Sequence, residues 1–249
     1  MRPRRKLLVT GASGGIGAQT AQLLAARGDD LWITWSGNAA GAEATRAACA
    51  AHGGEALASP LDLRDPAAVE RLLAEVGERW GRLDGLVNNA GTCPYTGWEE
   101  ISPDGWDEVL ETNARGTFLA IRHAVPLLRA AAGDRAIVNV ASLAGQVGAI
   151  TTSVHYAASK AAVLAITRSF AKLLAPDGIR VNAVSPGPVQ TAITANLTAA
   201  ARASLERAVP LGRLGAPADV AHAIVLLASP EAAFTTGATY DVNGGLRMD

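Results

Sequence analysis

The sequence predicts one α/β domain built on a doubly wound, seven-stranded parallel sheet with helices on both faces. Three observations lead there. Short runs rich in Val, Ile and Leu, apolar without strict alternation, recur along the 249 residues and read as strands buried on both faces. Longer segments of helical periodicity separate them, as parallel crossovers require. The first run passes into a glycine-rich turn that opens a helix. Length alone allows two domains. No Pro/Gly/Ser-rich linker or composition break divides residues 1–249, so a single domain is expected.

The predicted strands are Lys6–Thr10, Leu31–Trp35, Ala56–Leu61, Gly85–Asn88, Ala136–Val140, Arg180–Val184 and Ala238–Val242. Gly28 closes a first helix that starts near Ile16, and Gly53-Gly54 close a second. Pro66, Pro103 and Pro217 stand at or near first helical positions, where a missing N–H costs nothing. Pro126 falls late in the fourth helical pattern and is expected to kink or end it. Pro60 lies inside the third strand, which suits only an edge strand or a bulge. In a sheet of order 3-2-1-4-5-6 the third strand is the edge.

Composition removes several classes of function. The formal net charge is -1, and the basic residues are scattered apart from Arg2, Arg4, Arg5 and Lys6. No stripe suits a nucleic-acid backbone. No run approaches the ~20 apolar residues of a membrane span, and Leu7-Leu8-Val9 is too short for a signal peptide. A cytoplasmic protein is expected. Cys49 and Cys93 make neither a disulfide framework nor a four-ligand zinc site. Cys93 follows a strand and could line a pocket, although an idle packed thiol is the plainer reading. His52, His123, His155 and His222 lack metal-ligand spacing, so no metal is expected.

The turn reads Thr10-Gly11-Ala12-Ser13-Gly14-Gly15-Ile16-Gly17. Gly11, Gly15 and Gly17 let backbone approach a pyrophosphate, and the following helix start offers free N–H groups and its positive dipole end. Glycines also serve ordinary turns; the strand–turn–helix setting is what favours a nucleotide. No Lys-Ser/Thr pair follows, which excludes a Walker loop.

The strongest chemical signal is Tyr156-Ala157-Ala158-Ser159-Lys160. Apolar periodicity through Val163, Leu164, Ile166, Phe170 and Leu173 makes the segment helical, and residues four apart share a face. Lys160 can therefore bring its charge near the Tyr156 phenol and lower its pKa from ~10. A surface Tyr/Lys pair would look the same. Ser142 ends the fifth strand at the sheet's carboxyl edge, where ligands bind; it could polarise a carbonyl oxygen or merely cap a turn. Asn113 is a poor helix former placed mid-helix, which suggests a tertiary task or a buried hydrogen bond.

With these four residues beside the glycine turn, the whole chain resembles the short-chain dehydrogenase/reductase family. Asp62-Leu63, Asn88-Asn89-Ala90-Gly91 and Pro186-Gly187 with Thr191 stand in family-like order. The resemblance implies a single-domain Rossmann fold and a hydride transferred between NAD(P) and a carbonyl or secondary alcohol. It implies Tyr156 as general acid and base, and Lys160 on the nicotinamide ribose. It makes Ser142 the orienter of the substrate oxygen and gives Asn113 a relay water. Asp62 would meet the adenine amino group, while Asn89, Ala90 and Gly91 pack by backbone on the adenosine ribose and Thr191 bonds the carboxamide. The implied cofactor set is Gly11, Ser13, Gly15, Ile16, Gly17, Ser36, Asn38, Asp62, Leu63, Asn89, Ala90, Gly91, Tyr156, Lys160, Pro186, Gly187, Val189 and Thr191. Two departures stand out: the stretch from Ser142 to Tyr156 is one residue longer than in many relatives, and Gly14 replaces a basic residue common in NADP users.

No acid ends the second strand, where Ile33-Thr34-Trp35-Ser36-Gly37-Asn38 offers Ser36 and Asn38 but no arginine. NADP(H) is favoured and NAD(H) possible. The segment 188–210 and the loop Thr92–Trp98 should cover the nicotinamide; the first has the length of a mobile substrate lid and is mostly small and apolar, which points to a modest apolar substrate. Leu211–Gly215 and the Asp241–Gly245 tail resemble bacterial 3-oxoacyl-carrier-protein reductases and glucose dehydrogenases. A ketone or 3-oxoacyl reductase is expected, with an NAD-dependent alcohol or sugar dehydrogenase as the alternative. A non-catalytic nucleotide sensor would not need Tyr, Lys and Ser together, and a methyltransferase has no use for the Tyr156/Lys160 pair. The resemblance further implies a homotetramer through helices around Trp106–Leu128 and Ala157–Leu174 and through the C-terminal tail.

Overall fold

Neighbouring residues of a strand face opposite sides of a sheet, and here both sides are apolar. The computed structural model describes residues 4–149, 152–191 and 198–248. Its seven strands are β1 (Lys6–Val9), β2 (Asp30–Trp35), β3 (Ala56–Pro60), β4 (Gly85–Asn88), β5 (Arg135–Val140), β6 (Ile179–Pro186) and β7 (Thr239–Val242). All pair in parallel, in the order β3-β2-β1-β4-β5-β6-β7. The predicted edge position of β3 holds, and Pro60 ends that strand opposite Trp35.

Along β1, Leu7 and Val9 join the core on one face and Leu8 the core on the other. The first core packs the sheet against α1 (Gly15–Ala26) and a late helix, Pro217–Leu227, through Leu24, Val220 and Ile224. The second packs it against α3 (Pro66–Trp80), α5 (Gly116–Arg129) and α7 (Val154–Leu174). Between these helices lie α2 (Ala39–Ala50), α4 (Pro103–Leu110) and the short α6 (Ala144–Val147); α8 (Ala199–Ala208) precedes the late helix, α9.

The sequence punctuation acts as its chemistry requires. Gly28 turns the chain at φ 93° after α1, and Gly53 at φ 79° after α2. Asp65 and Ser102 cap α3 and α4, each with proline in the first turn. Pro126 does not end its helix at once: α5 continues to Arg129, because a proline this late removes only one helical bond. α4 and α5 are joined by a π-helical turn, Glu111–Arg115. Of the segment 188–210, residues 192–197 lie outside the described residues, so the lid reading concerns them only at its flanks. There Val189 bridges to Gly215.

Candidate active site

The glycine turn leaves β1 at the carboxyl edge of the sheet. Gly11 has φ 66° and Gly15 φ 56°, values that favour glycine. A Cβ on Gly11 would sit 2.7 Å from the Ala90 Cα. One on Gly17 would overlap the Gly11 carbonyl and lie 2.5 Å from Asn89 Nδ2. Asn89 holds the turn directly, its amide donating to Thr10 O at 3.1 Å and Gly11 O at 2.8 Å. The Thr10 hydroxyl in return accepts from the Asn89 and Ala90 backbone N–H groups.

In front of this turn the space is open. A Cβ on Gly14 would meet nothing within 4 Å, and no side chain caps α1, whose first turn also lacks an acid. Free helix-start N–H groups facing open space fit a pyrophosphate. Thr191 faces the same turn, with its Cγ2 3.4 Å from a Cβ built on Gly15. Pro186 ends β6 and Gly187 follows it, where Gly187 abuts the Asn243 backbone and its N–H bonds Val242 O at 3.0 Å. The residues present thus fit a dinucleotide.

Three members of the expected cofactor set are engaged elsewhere. Asn38 caps α2, accepting from Gly41 N at 3.0 Å, and donates to Ser13 O at 3.3 Å. Both ends of its amide are therefore in use, whereas Ser36 is exposed. The Asp62 carboxylate is clasped by Arg64, with bonds from Nε and Nη2 of 3.0 and 2.8 Å, and this guanidinium holds it below the usual carboxylate range. Leu63 is buried, and Gly116 lies so close that a Cβ there would stand 2.7 Å from Leu63 Cβ. Only the Leu63 backbone can face a ligand. Ile16 is half-buried against the first core, and Val189 is buried.

Beside this cradle the reactive side chains converge. Ser142 follows β5; its hydroxyl accepts from Ala144 N at 3.1 Å and lies near the Tyr156 phenol. The turn-capping contact of Ser142 is thus present in the structure. Lys160, one helical turn after Tyr156, is 5% exposed and donates to Val140 O at 2.8 Å. Its Nζ lies 5.9 Å from the Tyr156 ring centre. Burial brings its pKa down to about 8. The Tyr156 phenol does not show the expected depression. Burial pushes it up, aided by the Cys93 thiol, and the Ser142 hydroxyl only partly opposes this.

Asn113 sits in the π turn, fully buried. π turns reorient side chains and concentrate at functional sites. Its Oδ1 accepts from Thr92 N at 2.8 Å, and its Nδ2 donates to Thr92 O and to Ser159 Oγ, both at 2.9 Å. The side chain is therefore a clasp between the loop after β4 and helix α7. Beneath it a buried chain runs from Asn88 to Asn139 to Thr167, at 2.8 and 2.9 Å, tying β4, β5 and α7 together.

Sequence reasoning missed three participants. Cys93 lies near the Tyr156 phenol and Lys160. Ser153 fixes the next residue, donating to Pro94 O at 2.9 Å. Gln146 ties the Ser142 segment to the C-terminal region, donating to Asp241 at 2.9 Å and accepting from Ser185 at 2.8 Å. For Cys93, its place just after Gly91 was the available signal. Among the described residues no cluster of His, Cys, Asp and Glu could hold a metal, and no helix is long and apolar enough to cross a membrane.

Residues 11–247 match the family model described as enoyl-(acyl carrier protein) reductase. The chain is 37% identical over its full length, and the relative's, to a 3-oxoacyl-[acyl-carrier-protein] reductase of Staphylococcus aureus. It is 42% identical to the cis-4-hydroxycyclohexanecarboxylate dehydrogenase of Sinomonas cyclohexanicum, covering 97% of this chain and 96% of that one. The crystal structure of a short-chain dehydrogenase/reductase, glucose/ribitol dehydrogenase, from Brucella melitensis superposes with a TM-score of 0.90 at 36% identity, covering 98% of this chain and 97% of that chain. The chain therefore belongs to the short-chain dehydrogenase/reductase family and is an NAD(P)-dependent oxidoreductase.

Proposed function

We propose that the protein reduces a ketone or 3-oxoacyl-type carbonyl with NADP(H), and oxidises the corresponding secondary alcohol in reverse. The observation that carries this reading is the buried Lys160 with its Nζ 5.9 Å from the Tyr156 ring centre, one helical turn on and beside an open glycine cradle. The 3-oxoacyl reductase relative supports the substrate class. NADP(H) is supported by the stretch Thr34–Asn38, which holds no acid to repel a 2′-phosphate and exposes the Ser36 hydroxyl.

When bound, the reduced nicotinamide supplies a hydride to the carbonyl carbon. The protein supplies the proton and the geometry. Ser142 hydrogen-bonds the carbonyl oxygen and holds it at the phenol. Tyr156 gives that oxygen its proton. Burial keeps the phenol protonated at neutral pH, which suits an acid at rest and hence the reductive direction. Lys160 stabilises the phenolate as the proton leaves. Asn113 acts by position: it holds the loop after β4 to the helix that carries Tyr156 and Lys160. A homotetramer is proposed from the family, supported by exposed Trp106, Phe118, Val154 and Leu173 on α4, α5 and α7, and by Phe234 and Met248 near the C-terminus.

The dehydrogenase of Sinomonas cyclohexanicum favours a second reading, NAD-dependent oxidation of a cyclic secondary alcohol. One assay separates them: NADPH and NADH with simple ketones, 3-oxoacyl and enoyl esters, and cyclic alcohols. Tyr156→Phe is expected to lower kcat by about 10³-fold while leaving cofactor affinity within about two-fold, because proton transfer is lost and the ring stays. Alcohol oxidation needs the phenolate, so its rate should rise about ten-fold per pH unit near neutrality while reduction stays flat. A Tyr156→Phe protein with most of its turnover would sink the assignment.

A further inference from the structure

Ser142 stands just before α6, a helix of four residues, and so short a helix has no stable position of its own. Neighbours hold it on three sides. At its start Leu143 N donates to Pro186 O at 2.9 Å. On one flank Gly145 lies so close to α7 that a Cβ there would stand 2.6 Å from the Lys160 carbonyl carbon. On the other flank the Gln146 side chain reaches the last two strands. Its Oε1 accepts from the Ser185 hydroxyl at 2.8 Å, and its Nε2 donates to Asp241 Oδ1 at 2.9 Å. The second Asp241 oxygen accepts from Arg247 Nη1, in the C-terminal segment, at 2.8 Å.

The polarity of this chain of bonds is fixed by chemistry. A carboxylate paired with a guanidinium only accepts, so the amide nitrogen of Gln146 must face Asp241. The amide oxygen is then left to Ser185, which is fully buried and must donate.

We propose that Gln146 is a positioning residue for the reaction: it sets the orientation of Ser142 and couples it, through Asp241, to Arg247. The proposal rests on Ser142 as the group that orients the substrate oxygen. Gln146 acts through that serine, four residues before it, rather than on the substrate. The coupling matters because misplacing an orienting group by about 1 Å costs about 100-fold in rate.

The test exploits the polarity. Gln146→Glu keeps the shape but sets a second carboxylate against Asp241. The repulsion should shift α6 and lower kcat about 30-fold, with cofactor affinity changed less than about two-fold. Adding Asp241→Asn to the same chain restores every bond. The new amide nitrogen donates to the new carboxylate, its oxygen still faces Arg247, and the net charge is that of wild type. The double variant should recover kcat to within about three-fold of wild type. Arg247→Ala, which takes the cation from Asp241, should lower kcat about three-fold.

All rates are measured well below the melting midpoint, per cofactor site counted by reduced-nicotinamide fluorescence. A purely structural role would lower the midpoint and leave this kcat unchanged, and that result overturns the proposal. So does a double variant no more active than Gln146→Glu alone. A cycle with Ser142→Ala locates the effect. In a chain that already lacks the hydroxyl, Gln146→Glu should cost less than about three-fold; an undiminished loss of about 30-fold there also overturns the proposal. If Ser142→Ala turns over like wild type, the proposal falls together with the reading beneath it. If Ser142→Ala is impaired while Gln146→Glu turns over like wild type, the positioning role alone falls.

Discussion

The two walls of the crevice are built from different materials. The proposed nucleotide wall, Thr10 to Gly17 with Asn89 to Gly91, is mainly backbone brought into close contact; Gly11 and Gly17 have no room for a Cβ. The proposed catalytic wall, Ser142, Tyr156 and Lys160, is mainly side chain, and burial shifts the proton affinities of Tyr156 and Lys160. The first wall should fail when an atom is added, at any pH. The second should keep its shape under conservative substitution but lose its chemistry.

Gly17→Val is the largest test of that contrast. Its side chain would collide with the Gly11 carbonyl and the Asn89 amide, which together hold the turn. Overpacking at such a point costs about 3 kcal/mol, and each kcal/mol lowers the midpoint of a domain this size by roughly 2–4 °C. Thermal melts should show this loss from pH 6 to 9, and reduced-cofactor fluorescence should show binding weakened by about 100-fold or more. A variant that melts and binds like wild type would mean that the turn yields easily.

Lys160→Met should separate stability from activity on the other wall. Burial holds the lysine at about 8, below its unfolded value. Below pH 8 the folded protein therefore carries a buried ammonium that the unfolded chain would hydrate, and stability is reduced. From about 8 to the ordinary lysine value of ~10.4 the unfolded chain holds a proton that the fold has released, so stability rises with pH across that window. Methionine removes the charge but leaves Val140 O without this donor. The net expectation at pH 7 is a gain of about 1–3 kcal/mol with turnover lowered at least about 100-fold. The variant's melting profile should also lack the rise between pH 8 and 10. A destabilised variant with the wild-type pH profile would show that the ammonium is not the strained group.

The same contrast explains what could be read from sequence. Strand order, the edge position of Pro60 and the helix starts at Pro66 and Pro103 follow from local rules, since backbone conformation and burial leave direct marks on residue type. The glycine turn was legible for that reason. Asn113 was half legible: its poor helix propensity marked a special place, but the π turn and the grip on Thr92 depend on a loop 21 residues away. Cys93 was only faintly legible: its place after a strand suggested a pocket, but its neighbours there, Tyr156 and Lys160, lie more than sixty residues later in the chain. Asp62 was legible only in part: the motif pointed to adenine, but the pairing of its carboxylate with Arg64 is not revealed by Asp62-Leu63 alone.

Asn38 gives the smallest and most discriminating test, because its residue type suits either wall's logic. As a ligand for a 2′-phosphate it would act through its amide; in the structure that amide caps α2 and braces Ser13 O. Loss of an N-cap costs about 1 kcal/mol. Asn38→Ala should therefore melt a few degrees lower, while the ratio of kcat/KM for NADPH over NADH moves less than about two-fold. Asn38→Asp keeps a capping oxygen and should recover most of the lost midpoint. A ten-fold fall in the NADPH preference of Asn38→Ala would instead show that the amide leaves its cap to bind the phosphate. The start of α2 would then be a moving part of a wall otherwise defined by close-packed backbone.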